Sequence, residues 1–198
     1  MGNREDLLAG AKRCLFEKGY TRTSARDIAG AAGTSLAAIG YHFGSKEALL
    51  NAALIETSQE WGDELERTLA ADTDPDTPWL ERFETMWTRV IESFETHREM
   101  WATQFRILAE VKELPDGGRP LIEALRLGRR ELGSMLRPGD EPVDERQAWI
   151  VGSLYQALLT GLLAQWLVDP EHGLTGHDIA DALRAILNQA APGTDADR

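Results

Sequence analysis

The sequence predicts an all-α protein of about nine helices. Apolar residues recur at helical spacing through nearly all of the 198 residues, and no segment shows the alternation of a half-buried strand. Clusters of glycine, proline and small polar residues interrupt this pattern and divide it into separate helices. The predicted helices lie near 4–18, 24–31, 36–42, 46–70, 79–96, 99–113, 120–137, 144–168 and 176–190.

The second and third predicted helices have the spacing of a helix-turn-helix. Ser24 precedes the first of them, and Asp27 completes a pattern typical of a capping box. The Gly-Thr-Ser turn at 33–35 supplies a glycine for the tight helix exit and a serine to cap the next helix. Gly44 and Ser45 then end that helix and cap the fourth. The second helix of such a motif can lie in the major groove of DNA.

The predicted DNA contacts surround this motif. We expect Tyr41, His42 and Lys46 to contact phosphates, and Thr23 and Arg26 to reach a phosphate or a base. The recognition helix carries no Arg, Lys, Asn or Gln for a bidentate hydrogen bond to a base, so contacts with thymine methyls and DNA shape are expected to contribute. The predicted DNA-binding set is Thr23, Ser24, Arg26, Thr34, Ser35, Leu36, Ala37, Ala38, Tyr41, His42 and Lys46.

Charge is distributed unevenly along the chain. The net charge of −12 argues against nucleic acid as a partner when it is taken alone. Residues 1–50, however, contain seven basic and five acidic residues, a net of +2, whereas the remainder contains fourteen basic and twenty-eight acidic residues, a net of −14. A mildly basic N-terminal part on an acidic body would orient the molecule on a polyanion.

The rest of the chain predicts a helical bundle rich in aromatic rings. The long fourth helix has apolar residues suited to the N-terminal part at 49–54 and others suited to the body from Trp61 onward. Most of the rings are expected in the bundle core, but six tryptophans also suit the wall of a pocket for an apolar or aromatic ligand. The predicted ligand-binding residues are Trp61, Phe83, Trp87, Phe94, Trp101, Phe105 and Tyr155.

Residues 147–168 contain no charged side chain. A membrane span is one interpretation of such a run, but glutamines interrupt it and basic flanks are missing. Small residues follow one side of the helix and bulky residues the other, which predicts burial on both sides. Either a homodimer seam or burial within one subunit satisfies this pattern, and we predict the seam. Its expected residues are Ser153, Ala157, Thr160, Gly161, Ala164, Ile179, Leu183 and Ile186.

Catalysis, metals and cofactors find little support in the sequence. Cys14 is the only cysteine, so no intrachain disulfide can form, and its helical stripe predicts a buried thiol. His172 and His177 are poorly spaced for metal ligation. No nucleophile elbow or phosphate-binding glycine loop is present, and we expect neither an enzyme nor a cofactor. The first residues show no apolar signal segment, so a cytoplasmic location is expected.

The N-terminal fifty residues resemble the DNA-binding signature of the tetracycline-repressor (TetR) family. Gly40 departs from the pattern, because the family usually carries a tyrosine there. The resemblance rests on Leu15, Phe16, Gly19, Tyr20, Ile28-Ala29, Ala32-Gly33-Thr34-Ser35, Tyr41-His42-Phe43, Ser45-Lys46-Glu47 and Leu49.

The resemblance implies a homodimeric repressor that binds a palindromic operator. It also implies a body that binds a small effector and thereby lowers the affinity for DNA. We accordingly predict a DNA-binding domain at 1–47, an effector-binding and dimerisation domain at 48–191 and a flexible tail at 192–198. Two alternatives stay open. One is a DNA-binding regulator without a small ligand, and the other is a helical ligand-binding protein or enzyme that has lost DNA binding.

Overall fold

The computed structural model describes residues 4–72, 77–114, 118–135 and 144–190. These residues form nine α-helices and two short 3-10 turns, so the predicted all-α class is confirmed. The predicted tail at 192–198 lies outside the described residues. The helices are α1 Arg4–Lys18, α2 Ala25–Ala31, α3 Leu36–Phe43, α4 Lys46–Asp72, α5 Trp79–Thr96, α6 Arg98–Glu110, α7 Arg119–Met135, α8 Glu145–Val168 and α9 Gly176–Ala190.

The first three helices and the start of α4 enclose an aliphatic core, which we call the head core. Helix α1 packs against both α2 and α4. Tyr20 lies at the edge of this core, where its hydroxyl donates a hydrogen bond to Oδ1 of Asn51 at 2.9 Å. The fully buried residues of the head core include Leu7, Ala11, Leu15, Ile28, Leu49, Leu50 and Ala53.

Helices α5, α6, α8 and α9 enclose a second core, the body core, in which aromatic rings dominate. Helix α5 packs against α9, and α7 packs against α8. The α7–α8 pair is in close backbone contact, because a Cβ atom on Gly133 would lie 1.8 Å from the Ala148 carbonyl oxygen. The body core is built from Phe83, Met86, Trp87, Val90, Phe94, Met100, Trp101, Tyr155, Leu162, Leu163, Trp166, Ile179 and Ala180.

Head and body share residues. Ile107 of α6 and Leu114, which follows the 3-10 turn after α6, are buried in the head core. Phe16 of α1 packs against both cores, and α4 contributes Leu50 to one core and Trp61 to the other. The packing therefore continues across residue 47, and the predicted domain boundary stays a prediction.

Among the described helices, Glu145–Val168 is long and apolar enough to cross a membrane by length and composition. Core helices of water-soluble proteins meet the same criterion. Tyr155, Leu162 and Trp166 on one side of this helix are buried in the body core, which confirms that its bulky stripe faces inward.

Candidate nucleic-acid interface and body core

Local hydrogen bonds fix the start of α2. The Asp27 amide donates to Oγ of Ser24, and the Ser24 amide donates to the Asp27 carboxylate, so the predicted capping box is confirmed. Lys18 forms an ion pair with the same carboxylate. Hydrogen bonds from Lys18 and then Ser24 hold the pKa of Asp27 well below its ordinary value. Because that pKa is lowered, the pairing stabilises the fold above the ordinary pKa of an aspartate and is lost in strong acid.

The turn between α2 and α3 directs α3 across the head core. Gly33 adopts a φ of +63°, the left-handed conformation that its position predicts. Ser35 occupies the N-cap of α3, although its side chain makes no capping hydrogen bond. Ile39 is buried, and Phe43 and Ala38 are partly buried against the head core. Ala38, which we predicted to contact DNA, is thereby turned away from the exposed side of the helix.

Four residues form the exposed side of α3, which we call the α3 face: Leu36, Ala37, Gly40 and Tyr41. Leu36 is 49% exposed and Tyr41 85% exposed, values that are high for side chains of this size. His42 is exposed beside them, and its ring packs edge-on against Tyr41 with centroids 4.9 Å apart. Apart from the Tyr41 hydroxyl, no side chain of the α3 face carries a hydrogen-bonding group.

The structure differs from the prediction at Thr23, which we expected to reach DNA. Its side chain is buried, with 1% of the residue exposed, and its hydroxyl donates to the Gly19 carbonyl oxygen at 2.7 Å. The Thr23 hydroxyl therefore holds the loop after α1 and is not exposed for a contact with DNA.

The remaining predicted phosphate contacts surround the α3 face. Arg26 and Ser24 are exposed at the start of α2, and Thr34 is half-buried. The Lys46 ammonium donates to the Thr23 carbonyl oxygen at 3.0 Å and lies 3.3 Å from the Glu47 carboxylate. Lys46 thus connects the start of α4 to the start of α2, in addition to any contact with DNA.

In the body, the structure brings the predicted ligand-binding rings together. Trp87 and Tyr155 are stacked, with centroids 6.2 Å apart and planes within 10°. Phe94 packs edge-on against Trp101 at 5.3 Å, and Trp61 packs edge-on against the same indole at 4.7 Å. The two remaining rings of the set, Phe83 and Phe105, also belong to or pack against the body core.

Two polar groups in this aromatic cluster lack partners in the described part of the chain. Nε1 of Trp87 is buried there without a hydrogen bond. No described hydrogen bond reaches the Tyr155 hydroxyl either, and burial raises the pKa of Tyr155. An indole N–H without an acceptor is costly in an apolar core, so this position is the most suitable in the cluster for a polar atom of a ligand.

The predicted dimer residues divide into two groups. Ala157, Gly161 and Ile186 are exposed, while Ser153, Thr160 and Ala164 of α8 are half-buried. The structure differs from the prediction at Ile179, which is buried in the body core and is not exposed to a second subunit. Leu183 is partly buried against the same core. The predicted seam leaves out several large exposed apolar residues of α8: Trp149, Ile150, Leu154 and Val168.

Cys14 is buried in the head core, as predicted, and burial raises the pKa of its thiol.

His177 joins α9 to α5, with Nδ1 3.0 Å from Oε1 of Glu84 and Nε2 3.3 Å from Oδ2 of Asp181. The hydrogen bond with Glu84, followed by the nearby carboxylates, raises the pKa of His177. In the described ranges, no group of three or more His, Cys, Asp or Glu is placed to hold a metal ion.

Comparison with known proteins agrees with this architecture. Residues 7–53 match the family described as bacterial regulatory proteins, tetR family. The HTH-type transcriptional repressor AcnR of Corynebacterium efficiens is 43% identical over 49 residues, which are 25% of this chain and 26% of AcnR. The chain thus matches about a quarter of the length of this relative.

Two solved structures resemble the whole chain. A protein assigned as a TetR-family transcriptional regulator from Mesorhizobium loti superposes with a TM-score of 0.64 at 18% identity, covering 94% of this chain and 93% of that one. The transcriptional regulator FadR of Bacillus subtilis, solved with stearoyl-CoA, gives 0.60 at 14% identity, covering 96% and 99%. At these identities the likeness shows the fold.

The three-helix head, its capped turn and the helical body define a helix-turn-helix protein. Residues 7–53 match the DNA-binding domain of the tetR family of bacterial regulatory proteins. The whole chain has the fold of the TetR-family regulator from Mesorhizobium loti.

Proposed function

We propose that the protein is a homodimeric, sequence-specific DNA-binding transcription regulator. In this proposal it is a repressor that releases its operator when a small apolar or aromatic effector binds in the body. The observation that carries the proposal is the α3 face, which the head core holds out to solvent in the second helix of a capped helix-turn-helix. AcnR, the relative of this segment, is itself named as a transcriptional repressor.

The electrostatics support DNA as the partner of the head. Residues 1–50 carry a net charge of +2 on a chain with a net charge of −12. The exposed Arg26 and His42 are placed to bind phosphates on either side of the α3 face. The acidic body repels the duplex, so the head is the end of the molecule that approaches DNA.

The exposed apolar residues of α8 and α9 support a dimer. Leu154 is 60% exposed and Ile186 is 63% exposed, and only 22% of the most apolar stretch of α8 is buried in the subunit. Large apolar side chains exposed along one helix are typical of an interface with another molecule. A two-fold seam along these helices would place two α3 helices on successive major grooves, about 34–36 Å apart or a multiple of one helical turn.

Helix α4 supports a connection between effector and DNA. It packs in the head core through Leu50 and against the body core through Trp61. A ligand that enters between Trp61 and Trp101 would displace the C-terminal half of this helix and change the separation of the two heads. Such coupling requires different ligand affinities for the two separations, and it is reciprocal. FadR, one of the structural neighbours, was solved with stearoyl-CoA.

One observation favours a second candidate, a DNA-binding regulator without a small-molecule ligand. The rings of the body core contact one another directly, as Trp61, Phe94 and Trp101 show. Aromatic packing of this kind is sufficient to stabilise a bundle without a ligand. In either case we propose a cytoplasmic, non-catalytic protein without a cofactor.

The primary test is DNA binding. A duplex would be selected from a library with a randomised central segment and then titrated by fluorescence anisotropy at several salt concentrations. We expect a palindromic consensus and an affinity that falls steeply with salt. Failure of the protein to enrich any sequence at low salt would contradict the proposed function.

The dimer is tested by multi-angle light scattering on Leu154→Glu, with Leu127→Glu of α7 as the matched control, since both leucines are about half exposed. We expect Leu154→Glu to be monomeric and to bind the selected duplex at least tenfold more weakly, and Leu127→Glu to remain dimeric. A monomeric wild-type protein at micromolar concentration would contradict the dimer.

The effector is tested by screening lipophilic compounds for quenching of tryptophan fluorescence. A true effector must also release the labelled duplex, because quenching alone reports binding in the body. If compounds bind without changing the DNA affinity, or none binds, the second candidate is the better description.

A further inference from the structure

Gly40 is exposed in the middle of α3, and no contact with the described residues requires a glycine there. Its φ is not among the positive values of the described glycines, so the backbone conformation accepts any L-residue. A Cβ atom built on it would meet no atom within 4 Å outside its own helix backbone and its neighbours in sequence. A glycine inside a helix lowers stability relative to alanine. The position therefore carries a cost that the fold of the subunit does not explain.

The neighbours of Gly40 make this bare backbone part of an apolar surface. Leu36, one turn earlier, is 49% exposed although it is a large apolar side chain. Ala37 is exposed next to it. The α3 face therefore presents methyl groups and bare backbone, with the Tyr41 hydroxyl at its border.

This surface is a poor match for guanine or cytosine edges. The O6 and N7 atoms of guanine and the N4 amino group of cytosine need hydrogen-bonding side chains, and burying them against Leu36 would leave them unpaired. Thymine presents an apolar 5-methyl group in the major groove, which fits between aliphatic side chains.

We propose that the α3 face recognises thymine 5-methyl groups and that Gly40 is the specificity-determining position. This inference rests on the proposed DNA-binding function. The missing side chain lets the base edge approach the helix backbone, and Leu36 and Ala37 then enclose the methyl group. The operator half-site opposite α3 accordingly contains thymines at the contacted positions.

The first test replaces thymine by deoxyuridine, one position at a time, in the selected duplex. This change removes only the methyl group and keeps every hydrogen-bonding group of the base. Burying one methyl group corresponds to about a three- to fivefold change in affinity. We expect a loss of that size at one or two positions in each half-site and no change elsewhere. A duplex that tolerates deoxyuridine at every position would overturn the inference, while DNA binding itself would stand.

The second test is Gly40→Ala, with Gly128→Ala of α7 as the matched control. Gly128 is also exposed within a helix, and a Cβ atom on it meets nothing within 4 Å. We expect both variants to raise the thermal midpoint, and only Gly40→Ala to weaken binding of the selected duplex, by tenfold or more. Unchanged affinity in Gly40→Ala would contradict the role of this position.

Leu36→Ala separates direct contact from an indirect effect on DNA shape. If Leu36 covers the methyl group, the deoxyuridine substitution that weakens binding by the wild type has less than a twofold effect on Leu36→Ala. If the effect stays three- to fivefold, the methyl group acts through the DNA and the assignment to the α3 face is wrong. A wild-type protein that enriches no duplex would instead refute the proposed function on which the inference rests.

Discussion

The two cores of this molecule differ in chemistry. The head core is filled by aliphatic side chains, and its polar groups are paired: Thr23 donates to the Gly19 carbonyl oxygen and Tyr20 donates to Asn51. The body core is filled by large rings, and Trp87 keeps a buried N–H without a partner in the described residues.

The difference suits the two tasks that we propose for head and body. A head that presents α3 to DNA benefits from one rigid arrangement, which paired hydrogen bonds and close aliphatic packing provide. A body that responds to a ligand benefits from large rings and from a polar group that a ligand can pair. Nε1 of Trp87 is such a group in the body core.

The largest expected effect comes from removing one large side chain from each core. Trp87→Ala should lower the free energy of unfolding by about 3–5 kcal/mol, and Leu15→Ala should lower it by about 2–5 kcal/mol. Urea denaturation followed by circular dichroism measures both. A loss below about 1 kcal/mol for Trp87→Ala would show that the rings enclose space and do not pack tightly, and the comparison of the two cores would then need revision.

A smaller effect is expected at the helix caps of the head. Ser24→Ala removes the capping box of α2 and should cost about 0.5–2 kcal/mol. Ser35 occupies the N-cap of α3 without a side-chain hydrogen bond, so Ser35→Ala serves as the control and should stay within about 0.5 kcal/mol of the wild type. Equal losses in the two variants would mean that the capping box contributes nothing specific to the rigidity of the head.

Substitution of the two buried tyrosines compares the hydrogen bonding of the two cores. Tyr20→Phe removes the hydrogen bond to Asn51 and should cost about 0.5–1.5 kcal/mol. Tyr155→Phe removes a hydroxyl without a described partner and should be neutral or slightly stabilising. Burial, with a contribution from Glu47, raises the pKa of Tyr20 to about 12, so the phenol of the folded protein stays protonated and donates its hydrogen bond well above neutral pH. If both variants lost the same stability, the two cores would not differ in the hydrogen bonding of their tyrosine hydroxyls.

The smallest effect is the pH dependence of the contact between α5 and α9. The raised pKa of His177 means that its pairing with Glu84 stabilises the fold fully below the ordinary histidine pKa and is lost as the pH rises through the raised value. Thermal midpoints between about pH 6 and about pH 9 should therefore fall less in His177→Gln than in the wild type. His172→Gln is the control, because His172 pairs only with the nearby Asp169. Identical pH profiles for the wild type and His177→Gln would refute this contribution.

Local signals explain which parts of the fold and the site could be predicted. The bounds of the helices could be predicted because helix-breaking and capping residues lie close to each end. The capping box at Ser24 and the inward-facing side chain of Ile39 could be predicted from the spacing of polar and apolar residues along the chain. The burial of Thr23 depends on how the loop after α1 folds back, which no pattern within a few residues encodes. Ile179 belongs to the predicted dimer seam, whereas the packing of α9 on α5 buries it in the body core, and spacing within α9 does not encode that long-range contact.

The contribution of Ile107 and Leu114 to the head core has a consequence for the design of chimeras. A chimera that joins residues 1–53 to the body of another protein with this fold would lose Ile107 and Leu114, which close the head core from the side of the body. Domain exchange would therefore need matching replacements at these two positions, and grafts that omit them should yield insoluble protein even when the recognition helix itself is unaltered.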